Sequence, residues 1–117
     1  DARLGDACTD LGFFFHQEAS HAGKDPRVVK LYERGCRLGS AMGCFNLGTL
    51  RQYGEGVVLS LTEAFVLYER ACRGGHGVAC MRVAEAYEWG KGVKKNPYRA
   101  REYRRKACNK GVAKACP

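Results

Sequence analysis

Ala71-Cys72-Arg73-Gly74-Gly75-His76-Gly77-Val78-Ala79-Cys80 sets two cysteines about a glycine-bearing turn, and the chain repeats the arrangement. Thirty-six residues earlier stand Cys36 and Cys44, and thirty-six later Cys108 and Cys116. Cys8 completes the ladder Cys8, Cys44, Cys80, Cys116, which interleaves with Cys36, Cys72, Cys108. A fixed step of this size marks one supersecondary unit copied along the chain. In such an array each unit touches only its neighbours, and stacking them buries one continuous, thin core. Repeat arrays supply surfaces far more often than chemistry.

Aligned on the cysteines, the units run 4–39, 40–75 and 76–111, with 112–117 beginning a further helix, so residues 1–117 form one array. A chain of 117 residues holds at most one compact domain or about three such units. No apolar run approaches the ~20 residues needed to cross a membrane. The opening Asp1-Ala2-Arg3-Leu4-Gly5-Asp6 lacks the basic and apolar regions of a signal peptide, so an exported form would carry its leader upstream or have lost it.

Cysteines this dense and regular point to an oxidising compartment, secreted or periplasmic, because cytosolic thiols are kept reduced. Zinc is the rival reading. Structural zinc sites use short Cys-x(2–4)-Cys knuckles with histidines at matching spacing. Here seven residues separate Cys72 from Cys80, and His16, His21 and His76 share no place in the repeat. No metal or cofactor is expected.

Each unit reads as two helices. Cys44, Leu47, Gly48 and Leu50 fall near helical spacing and stop at Tyr53-Gly54-Glu55-Gly56, where glycine permits the left-handed residue that ends a helix. Ser60-Leu61-Thr62-Glu63 predicts a capping box at the start of the next helix. Asn96-Pro97 and Asp25-Pro26 predict an N-cap followed by proline at the first helical position. Arg37-Leu38-Gly39 and Arg73-Gly74-Gly75 end the second helices. The fold class is all-α: an α/α solenoid of about three helix-turn-helix units cross-linked by disulfides. Gly48 and Ala84 alternate at one repeat position, which predicts close helix packing there.

The Ala-Cys pairs at 71–72, 79–80 and 107–108, the Gly-x-Gly-Val loops at 54–57 and 90–93, and the Ala64-x-x-x-Tyr68 spacing resemble the Sel-1-like repeat family, a relative of tetratricopeptide repeats. The likeness is to its disulfide-bearing branch, typified by the Helicobacter cysteine-rich proteins, and it covers nearly the whole chain. The first unit departs from the pattern. Its segment Gln17-Glu18-Ala19-Ser20-His21-Ala22-Gly23 lacks Gly-x-Gly and follows Phe13-Phe14-Phe15. Arg104 also stands where the family pattern places an aromatic.

Two regular disulfide pairings are open. Local pairing joins Cys36 to Cys44, Cys72 to Cys80 and Cys108 to Cys116, and leaves Cys8. Within-unit pairing joins Cys8 to Cys36, Cys44 to Cys72 and Cys80 to Cys108, and leaves Cys116. Loop entropy separates them by only about 1 kcal/mol. Antiparallel helices joined by a short turn bring residues equidistant from Ser40 face to face, which favours the local set. The resemblance implies the same set. Cys8 then reads as orphaned in a segment of a longer array, or as a reactive thiol that links two chains.

The resemblance also implies a rival activity, since β-lactam binding or weak hydrolysis has been described in the cysteine-rich branch. A serine β-lactamase needs Ser-x-x-Lys. Ser20, Ser40 and Ser60 have Gly23, Gly43 and Glu63 at that position, so no catalytic residue is expected. Assembly work in the mitochondrial intermembrane space is a third reading, because related disulfide-bearing repeats occur there.

Charge is uneven. Residues 1–90 hold ten Lys/Arg and eleven Asp/Glu, whereas residues 91–117 hold ten Lys/Arg and Glu102 alone, which places the net charge of +8 in the last hairpin. Lys94, Lys95, Arg99 and Arg101 form a candidate basic patch with Arg104, Arg105 and Lys106. Such a patch attracts acidic protein segments, anionic lipid or polysaccharide, or nucleic acid, and serves equally as a solvated face that keeps the array soluble. Nucleic acid is disfavoured, because few aromatics lie nearby for stacking. The leading expectation is a protein or peptide partner on the concave face lined by the first helices. Asn46, Arg51 and Gln52 are the candidate contacts in the second unit, and Arg82, Tyr87 and Glu88 in the third.

Overall fold

The computed structural model describes residues 1–18 and 25–117. Six helices follow one another: α1 (Ala2–Glu18), α2 (Pro26–Arg37), α3 (Ala41–Tyr53), α4 (Leu61–Arg73), α5 (Gly77–Trp89) and α6 (Pro97–Asn109). A single 3-10 turn, Ala113–Ala115, comes last. The helices pack as the pairs α1–α2, α3–α4 and α5–α6, and the pairs stack through α2–α3 and α4–α5. Among the described residues no helix is long and apolar enough to cross a membrane.

Local chemistry fixes most boundaries. Ser60 Oγ accepts from Glu63 N at 3.1 Å, Asn96 Oδ1 from Arg99 N at 3.1 Å and Asp25 Oδ1 from Arg27 N at 2.9 Å. Each of these satisfies a free N–H of the first helical turn. Gly54 (φ 68°) and Gly90 (φ 71°) end α3 and α5 in the left-handed region, as the loop pattern predicts. The box at Ser60 is half formed. Its reciprocal acceptor is lost because the Glu63 carboxylate pairs with Arg51 Nε at 3.1 Å. The Ser60 N–H donates to Arg51 O at 2.9 Å instead. Residues 112–117 form one turn rather than a running helix. Pro117 disfavours the helical conformation of the residue before it, and Cys116 lies extended (ψ 144°). Of the expected loop after α1, Gln17 and Glu18 belong to the helix itself, and Ala19 to Gly23 lie outside the described residues.

Three bridges close the stacked turns: Cys36–Cys44, Cys72–Cys80 and Cys108–Cys116, with Cα separations of 4.5, 4.6 and 4.8 Å. This is the local pairing. Cys8 is free and partly buried. Helices this close leave room only for small neighbours. Gly35 and Gly43 flank the first bridge, Ala71 and Ala79 the second, Ala107 and Ala115 the third. A Cβ on Gly43 would sit 3.0 Å from Cys36 N and 2.6 Å from Thr9 Oγ1.

The third position of this junction changes in step. Thr9 Oγ1 donates to Ser40 Oγ at 2.9 Å, and Ser40 Oγ accepts from Gly43 N at 3.0 Å as the N-cap of α3. One step on, Phe45 stacks on His76 at 4.3 Å, and His76 Nδ1 accepts from Ala79 N at 3.1 Å as the N-cap of α5. Met81 and Val112 take these places next, both in the main core.

The same covariation explains Gly48 and Ala84. The rings of Tyr32 and Tyr68 lie across α1 and α3, and a Cβ on Gly12 or Gly48 would come within 3.0 Å of them. In the third pair the tyrosine is Arg104, its thinner stem leaves space, and Ala84 is fully buried.

Two measurements test these contacts. Tyr68 is wedged beside Phe45 and held at its hydroxyl, so its ring has little freedom to yield. Gly48→Ala should therefore lower stability by about 1 kcal/mol, the overpacking cost exceeding the helix-propensity gain. In a Tyr68→Leu background the same substitution should become stabilising, and urea unfolding of the four variants reads the sign change.

Burial holds His76 below the ordinary histidine pKa of 6.5, so its neutral form, the one that caps α5, is preferred in the fold. Stability from the cap is then complete above the unfolded pKa and is lost as pH falls through the folded one. Between pH 7.5 and 5.5 the native chain should lose up to about 1 kcal/mol. His76→Ser should flatten that slope, whatever its absolute stability. Equal slopes in the two proteins would refute the imidazole cap.

Candidate functional site

One contact recurs in all three pairs, always between the last turn of the first helix and the second helix, 16 residues apart. His16 Nδ1 and the Tyr32 hydroxyl share a hydrogen bond at 3.2 Å. Tyr68 Oη donates to Gln52 Oε1 at 2.6 Å. In the third pair Arg104 Nη2 donates to Glu88 Oε1 as an ion pair. One scaffold position thus carries an aromatic couple, an amide–phenol couple and a salt bridge.

The next unit reaches the same row. Burial pushes the Tyr32 phenol up to about 12, with Asn46 of α3 opposing the rise. Thr49 Oγ1 lies 3.2 Å from the Tyr68 hydroxyl. Burial raises the Tyr68 phenol as well, and Arg82 of α5 is close enough to oppose the rise. Both hydroxyls therefore stay protonated at neutral pH, and that of Tyr68 donates to Gln52. Arg82 Nη1 donates to Glu85 Oε1 at 2.9 Å. Gln52, Tyr68, Arg82 and Glu85 meet in a cleft between α3 and α5, floored by Ala64 and Phe65. The expected contacts Asn46, Gln52 and Arg82 fall on this row.

The other three are held by partners of their own, Glu88 on this same row. Arg51 is held between Glu63 and Val58 O, the latter at 3.2 Å. Glu88 is taken by Arg104. Tyr87 corrects an expectation, because it is not free of packing. It is 5% exposed, with Phe65 edge-on at 5.3 Å and Tyr103 tilted at 5.8 Å. The repeat step accounts for it. Phe15 and Arg27, Arg51 and Glu63, Tyr87 and Arg99 occupy equivalent places, and the last two meet through Arg99 Nη1 and Tyr87 Oη at 3.3 Å. Arg27 lies 3.9 Å over the Phe15 ring. His16, Tyr32, Thr49 and Glu85 belong to the polar row without having been singled out. A step of 36 residues back from Gln52 would have pointed to His16.

Three of the basic residues meet partners within the chain. Arg99 docks on Tyr87, Arg104 on Glu88, and Lys106 lies 4.5 Å over the Tyr103 ring. The Tyr103 hydroxyl donates to Glu69 Oε2 at 3.2 Å, and burial with that carboxylate raises its pKa. Lys94, Lys95, Arg99, Arg101, Arg105 and Lys106 are all exposed, and Arg104 is half-buried. Arg101 lies 5.2 Å over the Tyr98 ring.

Ser40 and Ser60 spend their hydroxyls on helix caps, and Ser20 lies outside the described residues. Among the described residues no group of three or more His, Cys, Asp or Glu side chains could hold a metal ion.

The Sel1 repeat model matches residues 41–76 and 77–112, each one residue later than the units read from the cysteines. Helicobacter pylori cysteine rich protein B is 31% identical and superposes with a TM-score of 0.75, over 77% of this chain and 68% of that one. A Sel1 repeat protein from Oxalobacter formigenes shares the fold at a TM-score of 0.88 and 24% identity, over 95% of this chain and 46% of its own. A protective antigen from uropathogenic Escherichia coli, displaying an SLR fold, gives 0.85 at 23% identity, over 95% of this chain and 24% of its own. This chain therefore spans under half the length of the last two. No curated protein matches it. The family model covers more than half of the residues, and the chain belongs to the Sel1 repeat family.

Proposed function

We propose that the chain is an exported scaffold that holds a peptide or protein segment against the face lined by α1, α3 and α5. The observation that carries this reading is the polar row on an otherwise constant frame. Buried Tyr32 and Tyr68 anchor the row, and their half-buried neighbours change chemistry from unit to unit: His16 and Asn46, then Gln52, Thr49 and Arg82. A frame that repeats while its polar partners vary suits recognition of an unsymmetrical extended segment, each unit reading a different part of it. Export is supported by the three intrachain bridges and by the similarity to a cysteine-rich Helicobacter protein. Repeat arrays of this family typically mediate protein–protein interaction, and the absence of Ser-x-x-Lys gives the β-lactam reading no residue to act through.

The test is selection of a peptide-display library on the purified, oxidised chain, followed by calorimetry with the selected peptides. Asn46→Ala and Arg82→Ala should each weaken binding by roughly tenfold, the loss of a hydrogen bond or a charge-assisted one. Exposed Lys94→Ala should leave it unchanged. Selected peptides that bind equally well to all three variants would remove the row as the site.

A further inference from the structure

Tyr53 and Trp89 end α3 and α5 at positions 36 residues apart, and each is 63% exposed. They directly follow Gln52 and Glu88, two members of the polar row. Beyond burial, the Tyr53 hydroxyl is near enough to that of Tyr68 to push the phenol further up, which sets Tyr53 beside the row. Tyr53 belongs to the middle unit, with a unit stacked on each side, and it is exposed all the same. The position therefore lies outside the stacking surfaces of the array. Packing does not account for two large rings left in solvent at one repeat position. Trp and Tyr are the side chains that most often anchor a partner.

The groups beside these rings donate rather than accept. Gln52 Oε1 is taken by the Tyr68 hydroxyl at 2.6 Å, which turns the amide into an N–H donor for anything laid on the row. Arg82 spends one nitrogen, Nη1, on Glu85, and a guanidinium carries five N–H donors. The Trp89 indole has an N–H and no acceptor.

We infer that this face binds a proline-rich segment in the polyproline II conformation, with prolines seated on Tyr53 and Trp89. The inference rests on the recognition reading above and names the chemistry of the segment. Spacing separates the conformations an occupant could take. Neighbouring packed helices lie roughly 8–10 Å apart, so equivalent groups on consecutive first helices recur at about that step. A polyproline II helix brings the same face round every three residues, about 9 Å along its axis. A β-strand shows one face about every 7 Å, out of step with the rings. An α-helix returns after seven residues, ~10.5 Å, but its carbonyls are already bonded internally. Polyproline II has no internal hydrogen bonds, so its carbonyls are free for Gln52, Arg82 and Trp89. Proline-rich segments dock in aromatic-lined grooves for these reasons.

Trp89 is the only tryptophan in the chain, so its emission reads the site directly. Acrylamide quenching of the oxidised chain, with anisotropy of fluorescein-labelled peptides, compares three probes. One is repeated Pro-Pro-Ala, one alternates valine and serine, and one is an alanine-rich helix with leucine at i and i+7. The proline peptide should bind at least tenfold tighter than the other two and shield Trp89. Tyr53→Ala should cost at least tenfold and Tyr53→Phe almost nothing, because the ring and not the hydroxyl carries the proline. Circular dichroism should be unchanged at this exposed position. Gln52→Glu, which sets an acceptor where the amide donates, should cost about tenfold. Equal affinity for the three peptides, or tighter binding of either control, would overturn the inference. Shielding of Trp89 by a cellulose or chitin oligosaccharide and not by the proline peptide would make the occupant a glycan, and overturn it as well. If the proline peptide fails to bind while library-selected peptides still lose affinity in Asn46→Ala and Arg82→Ala, this inference falls alone. If the selected peptides are indifferent to those changes too, the recognition reading falls with it.

Discussion

The approach of one unit to the next at the bridged turn constrains everything else. Cα atoms 4.5–4.8 Å apart across α2–α3, α4–α5 and the final turn admit a disulfide but very little beside it. The flanking residues are therefore glycine or alanine at every junction, and the backbones can meet because those side chains are nearly absent. With the turn fixed, the angle between neighbouring helices is fixed too. The rings of Tyr32 and Tyr68 then fall where Gly12 and Gly48 must make room for them.

Residues that meet across a unit change together. Tyrosine demands glycine opposite it, and arginine tolerates alanine; tyrosine takes histidine or glutamine at its hydroxyl, and arginine takes glutamate. At the junction, a hydroxyl pair gives way to a stacked Phe45 and His76. Each local set is satisfied internally, and no buried side-chain nitrogen or oxygen among the described residues lacks a partner. Variation in this family member is thus confined to exchanging one complete set for another.

The sequence made legible whatever is encoded within one turn of helix. The caps at Asp25, Ser60 and Asn96 and the left-handed Gly54 and Gly90 are of that kind, and so is the ladder of cysteines. The contacts that escaped it lie between helices. Glu63 reads as half of a capping box until Arg51, twelve residues away, competes for its carboxylate. His76 does not read as a cap, because an imidazole caps only through an unprotonated Nδ1 that faces the helix. Tyr87 reads as a candidate partner contact, yet its ring closes the core between Phe65 and Tyr103. Local pattern cannot separate these cases. Comparing equivalent positions between units does, because the repeat supplies its own internal alignment.

The placement of the bridges gives the array its mechanical character. The first two lie between units, and the third ties the closing turn to α6; none joins the two helices of one pair. In a one-dimensional array stability is a sum of unit terms and interface terms, and thin interfaces let units open separately. A bridge over so short a loop adds about 2.5 kcal/mol by chain entropy, and here it adds it to the interface. Oxidation therefore couples neighbouring units where non-covalent packing alone is weakest, and it holds the polar groups of α1, α3 and α5 in one register. The proposed recognition row, spread over three units, requires that the spacing between units does not fluctuate. The covalent links sit where that spacing is set.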